Sequence, residues 1–321
     1  MDAMAQKILL AGAGQLGSRH LQGLAKCITP LSIYVYDISP ASLSLAQSRW
    51  LEVVKSNSAH KLILIDSLKS IPERLDLAIV ASTAGARPGI IRNVANRVSV
   101  RYWLLEKILA QSEFGLDETL NAIGLRENAW VNTPRSMLPW HHQIKSYLDT
   151  PYPMKMNVFG EAWGLACNSI HFLELFSFWT EEELVEIDVA GLSPSWFEAK
   201  RAGNWEVYGT LIAKFSAGSS LTLSARPGKA LYSFKLEDAS FSWAISEQNG
   251  LAQRSDGLEI PGLIPNQSDV TGPLVDSILK SGKCELTPLK KSIDMHRVFI
   301  HGLLGHWRLN MDHAASILPI T

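Results

Sequence analysis

Three glycines near the start of the chain stand at the spacing that brings a backbone close to a phosphate group. They are Gly12, Gly14 and Gly17, and Gln15 and Leu16 lie between the last two. The first glycine permits a tight turn, the second a close approach to a pyrophosphate, and the third close packing of a helix on a strand. The N–H groups that open the following helix then face the phosphates. All five residues are therefore predicted to bind a dinucleotide.

Two further groups of polar residues follow predicted strands. Asp37 ends the second strand, twenty residues after Gly17. A carboxylate there binds ribose hydroxyls and repels a 2′-phosphate, which favours NAD over NADP. Ser82 and Thr83 end the fourth strand, at the edge where doubly wound sheets bind ligands, so we expect them to line the nicotinamide ribose. The alternatives are a glycine turn that binds nothing, and helix capping by Asp37, Ser82 and Thr83.

Alternating strands and helices must position these residues. Leu16–Cys27 and the stretch from Pro40 to about Val54 are predicted helices, with Pro40 in a first turn where its missing N–H does no harm. The predicted strands are Lys7–Ala11, Ser32–Asp37, Lys61–Asp66, Leu75–Ser82, Arg101–Lys107 and Ala129–Thr133. Alternation of this kind indicates a doubly wound parallel sheet, the Rossmann α/β class.

From about Pro151 the pattern changes to strands with short connections. Leu221, Leu223 and Ala225 alternate with polar residues, as in an antiparallel sheet with one covered face. The strand candidates are Met154–Gly160, Leu184–Gly191, Val207–Phe215, Ser220–Ala225, Leu231–Glu237 and Phe241–Glu247, and the helices are about Ala166–Trp179, Val270–Ser281 and Leu289–Met311. This is an α+β domain, with a boundary near Thr133–Pro139. We predict domains at residues 1–133 and 134–321.

Composition excludes several other classes of protein. The 321 residues are 46% hydrophobic and 19% charged with a formal net charge of -1, which offers no basic surface to nucleic acid. No apolar run has the length of a membrane span, and the first residues do not resemble a signal peptide. The three cysteines lack CxxC spacing, and His296, His301 and His306 do not share a helix face. We therefore expect no disulfide framework and no metal site, and a cytoplasmic location.

Four segments resemble the Gfo/Idh/MocA oxidoreductases, the family of glucose–fructose oxidoreductase and inositol dehydrogenase. They are GAGQLGSRHLQGL from Gly12, LLEKILA from Leu104, VNTPR from Val131 and ACNSIHFLELF from Ala166. Their order and spacing agree with the family over the whole chain. The resemblance implies a Rossmann domain followed by an open-sheet domain, and dimers or tetramers formed through the second sheet.

The resemblance also implies a site. Lys107 matches the lysine that touches the substrate hydroxyl or carbonyl, and Glu106 would orient Lys107 or contact the cofactor. A lysine near the positive nicotinamide can have a lowered pKa and serve either direction of hydride transfer. His171 matches a histidine that faces the nicotinamide, and Asn168 and Glu174 share its side of the helix. We therefore predict Lys107 and His171 as catalytic residues, and Asn168 and Glu174 as substrate-binding residues.

One more basic residue is predicted to meet the substrate. Arg135 follows the sixth strand, and its guanidinium would bind a carboxylate or phosphate by a two-pronged contact. A salt bridge at the domain junction is the alternative. For Lys107 the alternative is an exposed lysine at a strand end, and for His171 a satisfied histidine on an apolar helix.

The chain departs from the family pattern at two positions. Ile108 replaces the proline after the motif lysine, and Cys167 replaces the aspartate one turn before His171. Three functions therefore stay open. The first is NAD-dependent hydride transfer with a sugar, amino sugar or sugar nucleotide. The others are a non-catalytic NAD-binding regulator and a reductase of a small non-sugar substrate.

Overall fold

The apolar runs of the first half form a seven-stranded sheet in the computed structural model, which describes residues 5–125, 127–148, 153–229 and 231–321. The strands are β1 (Gln6–Ala11), β2 (Leu31–Tyr36), β3 (Lys61–Ile65), β4 (Arg74–Val80), β5 (Ser99–Leu105), β6 (Ala129–Val131) and β15 (Thr287–Pro288). They lie in the order β15-β6-β5-β4-β1-β2-β3, and every neighbouring pair is parallel except β15 with β6. The predicted doubly wound parallel sheet is confirmed.

The chain order of this sheet reverses between β1 and β4, which is where sheets of this type bind ligands. The helices of this part are α1 (Gln15–Leu24), α2 (Pro40–Leu51), α3 (Arg87–Ala95), α4 (Glu113–Ile123) and α7 (Gln267–Ser281). α7 packs closely on α1, because a Cβ on Gly23 would lie 2.6 Å from the Cβ of Thr271. The first compact unit comprises the chain up to Ala110 together with Gly115–Asn132 and Pro265–Lys290.

A second sheet of eight strands forms the centre of the other compact unit. Its strands are β7 (Lys155–Glu161), β8 (Leu184–Glu198), β9 (Trp205–Phe215), β10 (Ser220–Arg226), β11 (Ser233–Glu237), β12 (Ser242–Ser246), β13 (Leu251–Arg254) and β14 (Glu259–Pro261). The order is β14-β13-β12-β11-β7-β10-β9-β8, and only β7 with β10 is parallel. The mostly antiparallel sheet predicted for the second half is confirmed.

The helices of the second unit are α5 (Pro139–Lys145), α6 (Leu165–Thr180) and α8 (Leu289–Asn310). The ring of Phe172 on α6 lies 5.9 Å from that of Phe234 on β11, and Phe176 lies 5.0 Å from Phe215 on β9. The apolar residues that alternate along the strands are therefore covered by α6, while Lys235 and its neighbours on the other face are exposed. This explains why α6 is apolar on nearly all sides.

The compact units divide the chain between Asn132 and Thr133, and two other segments do not follow chain order. Pro265–Lys290, which include α7 and β15, lie in the first unit, and Gln111–Phe114 lie in the second. The division into functional domains at residues 1–133 and 134–321 stays a prediction. Within the described ranges, no helix combines the length and the apolar character needed to cross a bilayer.

Candidate functional site

The glycine turn joins β1 to α1 at the carboxyl edge of the first sheet. Gly12 has a φ of 100°, a left-handed conformation suited to glycine, and its N–H donates to the carbonyl of Tyr36. A Cβ on Gly12 would lie 2.7 Å from the carbonyl carbon of Ala81, and one on Gly17 only 1.8 Å from the oxygen of Gly12. A Cβ on Gly14 would meet nothing within 4 Å among the described residues. Gly12 and Gly17 are thus required by packing, whereas Gly14 leaves open space.

Asp37 is bonded directly to the glycine turn. Its Oδ2 accepts from the N–H of Ala13 at 2.7 Å, and its Oδ1 accepts from the N–H of Ser39 at 2.8 Å. Ser39, not Asp37, provides the side-chain cap of α2, by accepting from Ser42. Each carboxylate oxygen has a further lone pair, so Asp37 can still accept ribose hydroxyls. Gln15 and Leu16 are exposed and begin α1 directly after Gly14.

Ser82 and Thr83 follow β4 on the same edge. The Oγ of Ser82 is buried and has no hydrogen-bond partner among the described residues, and Thr83 is exposed. The buried guanidinium of Arg87 donates to the carbonyl of Ser82 and to that of Ile108. Arg87 therefore ties the segment after β4 to the segment after β5. Neither Ser82 nor Thr83 is the N-cap of α3, which is Ala86.

Glu106 and Lys107, which follow β5, differ in exposure. Glu106 is 3% exposed, and its Oε1 accepts from Nε2 of His20 at 2.8 Å and from Nδ2 of Asn132. Burial favours the neutral acid, but the hydrogen bond and charge of His20, with Asn132 and Arg87, hold the pKa of Glu106 below its ordinary value. Lys107 is half-buried, and the Lys107–Ile108 peptide bond is cis.

The first two turns of α6 in the second unit contain the predicted residues Asn168 and His171 together with Cys167. All three are half-buried. A buried carboxylate, Glu206, accepts from the N–H groups of Ala166 at 2.8 Å and Cys167 at 3.1 Å, so it caps the helix. Asn168 donates to the carbonyl of Trp163 at 2.7 Å. Asn168 and His171 stand three positions apart on this helix, and their roles in the site stay predictions.

Glu174, one turn further along α6, has different surroundings. It is 3% exposed, and its two oxygens accept from the hydroxyls of Thr133 and Ser292. These bonds are internal to the second unit, and the carboxylate that accepts them is buried. The substrate-binding role of Glu174 stays a prediction, but the contacts observed here are structural.

Arg135 lies in a largely buried ion pair within the second unit, rather than in a salt bridge at the domain junction. Its Nε and one terminal nitrogen donate to the two oxygens of Glu247 at 2.7 and 2.8 Å, and it also donates to the hydroxyl of Tyr232 at 3.0 Å. The guanidinium carbon lies 4.7 Å from the ring centre of Phe172. The two-pronged geometry predicted for a substrate carboxylate is thus satisfied by Glu247, and substrate binding by Arg135 stays a prediction.

Glu247 and Tyr232, the two partners of Arg135, have shifted pKa values. Burial disfavours the charge on Glu247, but Arg135, His141 and Tyr232 hold the pKa of Glu247 far below its ordinary 4.5. Burial, opposed by Arg135 and reinforced by Glu247, raises the pKa of Tyr232 to about 12. Glu247 is therefore a permanent carboxylate at neutral pH.

Removing Arg135 should destabilise the second unit in a pH-dependent way. Arg135→Met leaves a buried carboxylate without its main partner, which we expect to lower the free energy of unfolding by roughly 3–5 kcal/mol at pH 7. Because the folded pKa of Glu247 lies below its unfolded value, the ion pair stabilises the parent above pH 4.5 and is lost as the pH falls below it. Urea unfolding at pH 7 and pH 4 measures both effects, and the difference between parent and variant should shrink in acid.

A matched control is Arg226→Met. Arg226 also pairs with a glutamate, Glu161, but its side chain is 61% exposed, so we expect a change of at most about 1 kcal/mol. Equal losses in the two variants would show that burial of the Arg135 pair has no energetic consequence.

Sequence reasoning missed most residues that hold the site together. Arg87 and Thr271 lie outside the quoted motifs, and His20 lies within the first of them but was given no role. The hydrogen bond of His20 to Glu106 spans 86 positions. Only Asn132, at the end of a predicted strand, had a position that suggested the same sheet edge.

Among the comparisons with known proteins, only the comparison of structures finds matches. No known family model matches the chain, and no curated protein matches it in sequence. Scyllo-inositol dehydrogenase from Lactobacillus casei, solved with NAD(H) and scyllo-inositol, is similar with a TM-score of 0.68 at 14% identity, covering 95% of this chain and 98% of that one. A putative NADPH-dependent oxidoreductase from Desulfitobacterium hafniense gives 0.71 at 10% identity, covering 94% and 95%.

A third match is an oxidoreductase from Agrobacterium radiobacter, solved with NAD+, L-tartaric acid and magnesium. Its TM-score is 0.69 at 13% identity, covering 94% of this chain and 96% of that one. The chain therefore shares the complete fold of these oxidoreductases, with a doubly wound parallel sheet and a mostly antiparallel sheet. This agrees with the fold that the sequence resemblance implies.

Proposed function

We propose that this chain is an NAD-dependent oxidoreductase of the Gfo/Idh/MocA family that transfers a hydride between nicotinamide and a hydroxyl or carbonyl carbon of a small polyol. The observation that carries the proposal is the glycine turn at the switch point of the sheet, with open space at Gly14 and the Asp37 carboxylate bonded to it. The shared fold of solved dehydrogenases supports it.

The residues of the first unit fit a dinucleotide. The turn from Gly12 to Gly17 and the first N–H groups of α1 would hold the pyrophosphate, since no side chain of the described residues caps that helix. Asp37 would accept the hydroxyls of the adenosine ribose. The half-buried Ser82 and the exposed Thr83 would line the nicotinamide ribose. Glu106, being buried, would act on the site through Lys107 rather than by touching the cofactor.

When bound, the nicotinamide supplies the acceptor or donor of a hydride. In oxidation the hydroxyl proton of the substrate must also leave, and Nζ of a neutral Lys107 would accept it. In reduction the protonated Lys107 would polarise the carbonyl and return that proton. His171 would share this proton transfer, and its partnership with Lys107 is part of the proposal. Asn168 would orient the substrate beside His171.

The substrate is proposed to be a sugar, amino sugar, sugar nucleotide or cyclic polyol. Solved structures of similar fold hold scyllo-inositol, myo-inositol or L-tartaric acid, which are all small polyhydroxylated molecules. Assembly into a dimer or tetramer through the second sheet and a cytoplasmic location stay predictions, and we expect neither a nucleic-acid nor a membrane partner.

Titration with NADH and NADPH, followed by protein fluorescence, tests the cofactor first. We expect the parent to bind NADH at least about tenfold more tightly than NADPH, since Asp37 repels a 2′-phosphate. Asp37→Asn keeps the acceptor for Ala13 but removes the charge, so NADPH affinity should rise about tenfold, the equivalent of about 1.4 kcal/mol.

Asp66→Asn provides the control for that change. Asp66 directly follows β3 at the same sheet edge and is exposed, so the substitution alters the net charge equally. NADPH affinity should stay within about twofold of the parent. If the parent itself prefers NADPH, our interpretation of Asp37 is wrong.

A panel of myo-inositol, scyllo-inositol, aldoses, amino sugars and nucleotide sugars then tests the reaction, with cofactor reduction followed by absorbance. Turnover of any of these supports the proposal. Tight NADH binding with no turnover of any of them would instead favour the non-catalytic alternative, which Ile108 and Cys167 suggest.

A further inference from the structure

A closed ring of hydrogen-bonded side chains surrounds Glu106 in the first unit. Nε2 of His20 bonds Glu106 at 2.8 Å, and Nδ1 of His20 bonds Oγ1 of Thr271 at 3.0 Å. Nε2 of Gln267 donates to the same hydroxyl at 3.0 Å. Asn132 closes the ring, because its Nδ2 donates both to Glu106 and to Oε1 of Gln267, the latter at 2.8 Å.

The ring is buried except at the half-buried Gln267, and it joins four elements of the unit. His20 and Thr271 are 0% exposed, Asn132 2% and Glu106 3%. His20 belongs to α1, Thr271 and Gln267 to α7, Asn132 follows β6, and Glu106 follows β5. Polar groups buried in this way are costly unless they are bonded, and a bonded network favours one arrangement. Among the described residues, the ring leaves one buried atom, Oδ1 of Asn132, without a hydrogen-bond partner.

Glu106, a member of the ring, directly precedes Lys107 in the chain. On the other side of Lys107, the carbonyl of Ile108 accepts from the buried guanidinium of Arg87. Lys107 is half-buried between two anchored residues. The N–H of Glu106 also donates to the carbonyl of Val80 at 3.1 Å, which keeps the segment in register with β4.

We propose that His20 is a positioning residue for Lys107, acting through Glu106 to fix the chain segment that presents the lysine. This inference rests on the proposed function only for the role of Lys107 in hydride transfer. His20 stands on α1, whose N-terminus begins at the glycine turn, so the ring links the helix of the pyrophosphate site to the lysine. The buried contact of His20 with Glu106 is by itself weak evidence for stability, since apolar residues of similar volume often replace buried ion pairs without loss. Orientation therefore explains His20 better than stability does.

The test uses the full-length chain without substrate. His20→Phe keeps the ring shape and removes both bonds, and His20→Gln can restore both. We expect amide hydrogen exchange of residues 105–110 to accelerate at least tenfold in His20→Phe. Acylation of Lys107, quantified by mass spectrometry relative to the other lysines, should accelerate at least threefold. Both rates should return to within twofold of the parent in His20→Gln.

Two further variants keep the result interpretable. Thr271→Val breaks the ring at its far side with little change of shape, and serves if His20→Phe does not fold. His60→Phe is the matched control. Like His20, His60 forms hydrogen bonds through both ring nitrogens, but its partners are the backbone groups of Leu31 and Cys27 near the start of β2. It should change both rates at residues 105–110 by less than 1.5-fold. Unchanged rates in His20→Phe and Thr271→Val, or equal changes in His60→Phe, would overturn the inference.

The last part of the test measures kcat with any polyol that the parent turns over. We expect kcat to fall at least tenfold in His20→Phe while the Kd for NADH stays within threefold, and His20→Gln to recover most of the loss. A loosened segment with an unchanged kcat would also overturn the positioning role. Failure of the proposed function is recognised separately, because it shows as a parent that does not bind NADH or turn over substrate. The exchange and acylation results, obtained on the free protein, decide the inference in that case.

Discussion

Lys107→Met is expected to lower kcat/KM by about 10²–10⁴ on the substrate that the polyol panel identifies, the usual range for loss of a general acid or base. The half-buried lysine has its neighbours Glu106 and Ile108 anchored on both sides, so its loss should leave the fold intact. The Kd for NADH should therefore stay within about threefold. Steady-state kinetics and NADH fluorescence titration on the same preparation separate the two effects.

Two more lysine variants sharpen this result. Lys107→Arg keeps the positive charge but cannot give up its proton, so it should be as inactive as Lys107→Met if proton transfer is the role. Lys61→Met, at the exposed start of β3, should behave as the parent. A Lys107→Met variant as fast as the parent would remove Lys107 from the mechanism.

The proposed partnership of Lys107 with His171 predicts a distinct kinetic result. Residues that act as one unit in proton transfer show strongly non-additive losses. Lys107→Met with His171→Phe should therefore be little slower than the slower of the two single variants. A double variant whose loss equals the product of the single losses would show that the two residues act independently.

The sequence predicted the strands of both sheets closely because their periodicity reflects burial. The predicted strand Leu75–Ser82 contains all but the first residue of β4, whose apolar run is buried on both faces, as parallel strands require. The patterning missed β13, β14 and β15, which have two to four residues each and show no period. It also placed α7 with the second half, although α7 packs on α1. An amphipathic helix shows that it has a buried face but not which partner covers it.

Some residues of the candidate site could likewise be predicted from the sequence, and others could not. The glycines and Asp37 could be found because backbone geometry restricts the residue types at those positions. The environments of Glu106, Glu174 and Arg135 could not, because the contacts of these charged residues are with residues far away in the chain. The hydrogen bond of Arg135 to Glu247 spans 112 positions, and that of Glu174 to Ser292 spans 118. A charged residue near a motif looks available for a ligand until its internal partner is known.

Gly17→Ala and Gly14→Ala should separate the folding role of the glycine turn from its binding role. A Cβ on Gly17 would lie 1.8 Å from the carbonyl oxygen of Gly12, so α1 must move away from β1. We expect the free energy of unfolding to fall by about 3 kcal/mol or more, with NADH binding lost. Thermal and urea unfolding measure the first effect, and fluorescence titration the second.

Gly14→Ala is the matched partner, because the same single methyl group meets nothing within 4 Å and the φ of Gly14 is -64°, which alanine adopts freely. Stability should stay within about 0.5 kcal/mol of the parent. The Kd for NADH should nevertheless rise at least tenfold, because the methyl group occupies the space through which a pyrophosphate would approach the backbone. Unchanged NADH binding in Gly14→Ala would place the phosphates elsewhere, whereas weakened binding at full stability can only come from a ligand that uses this open space.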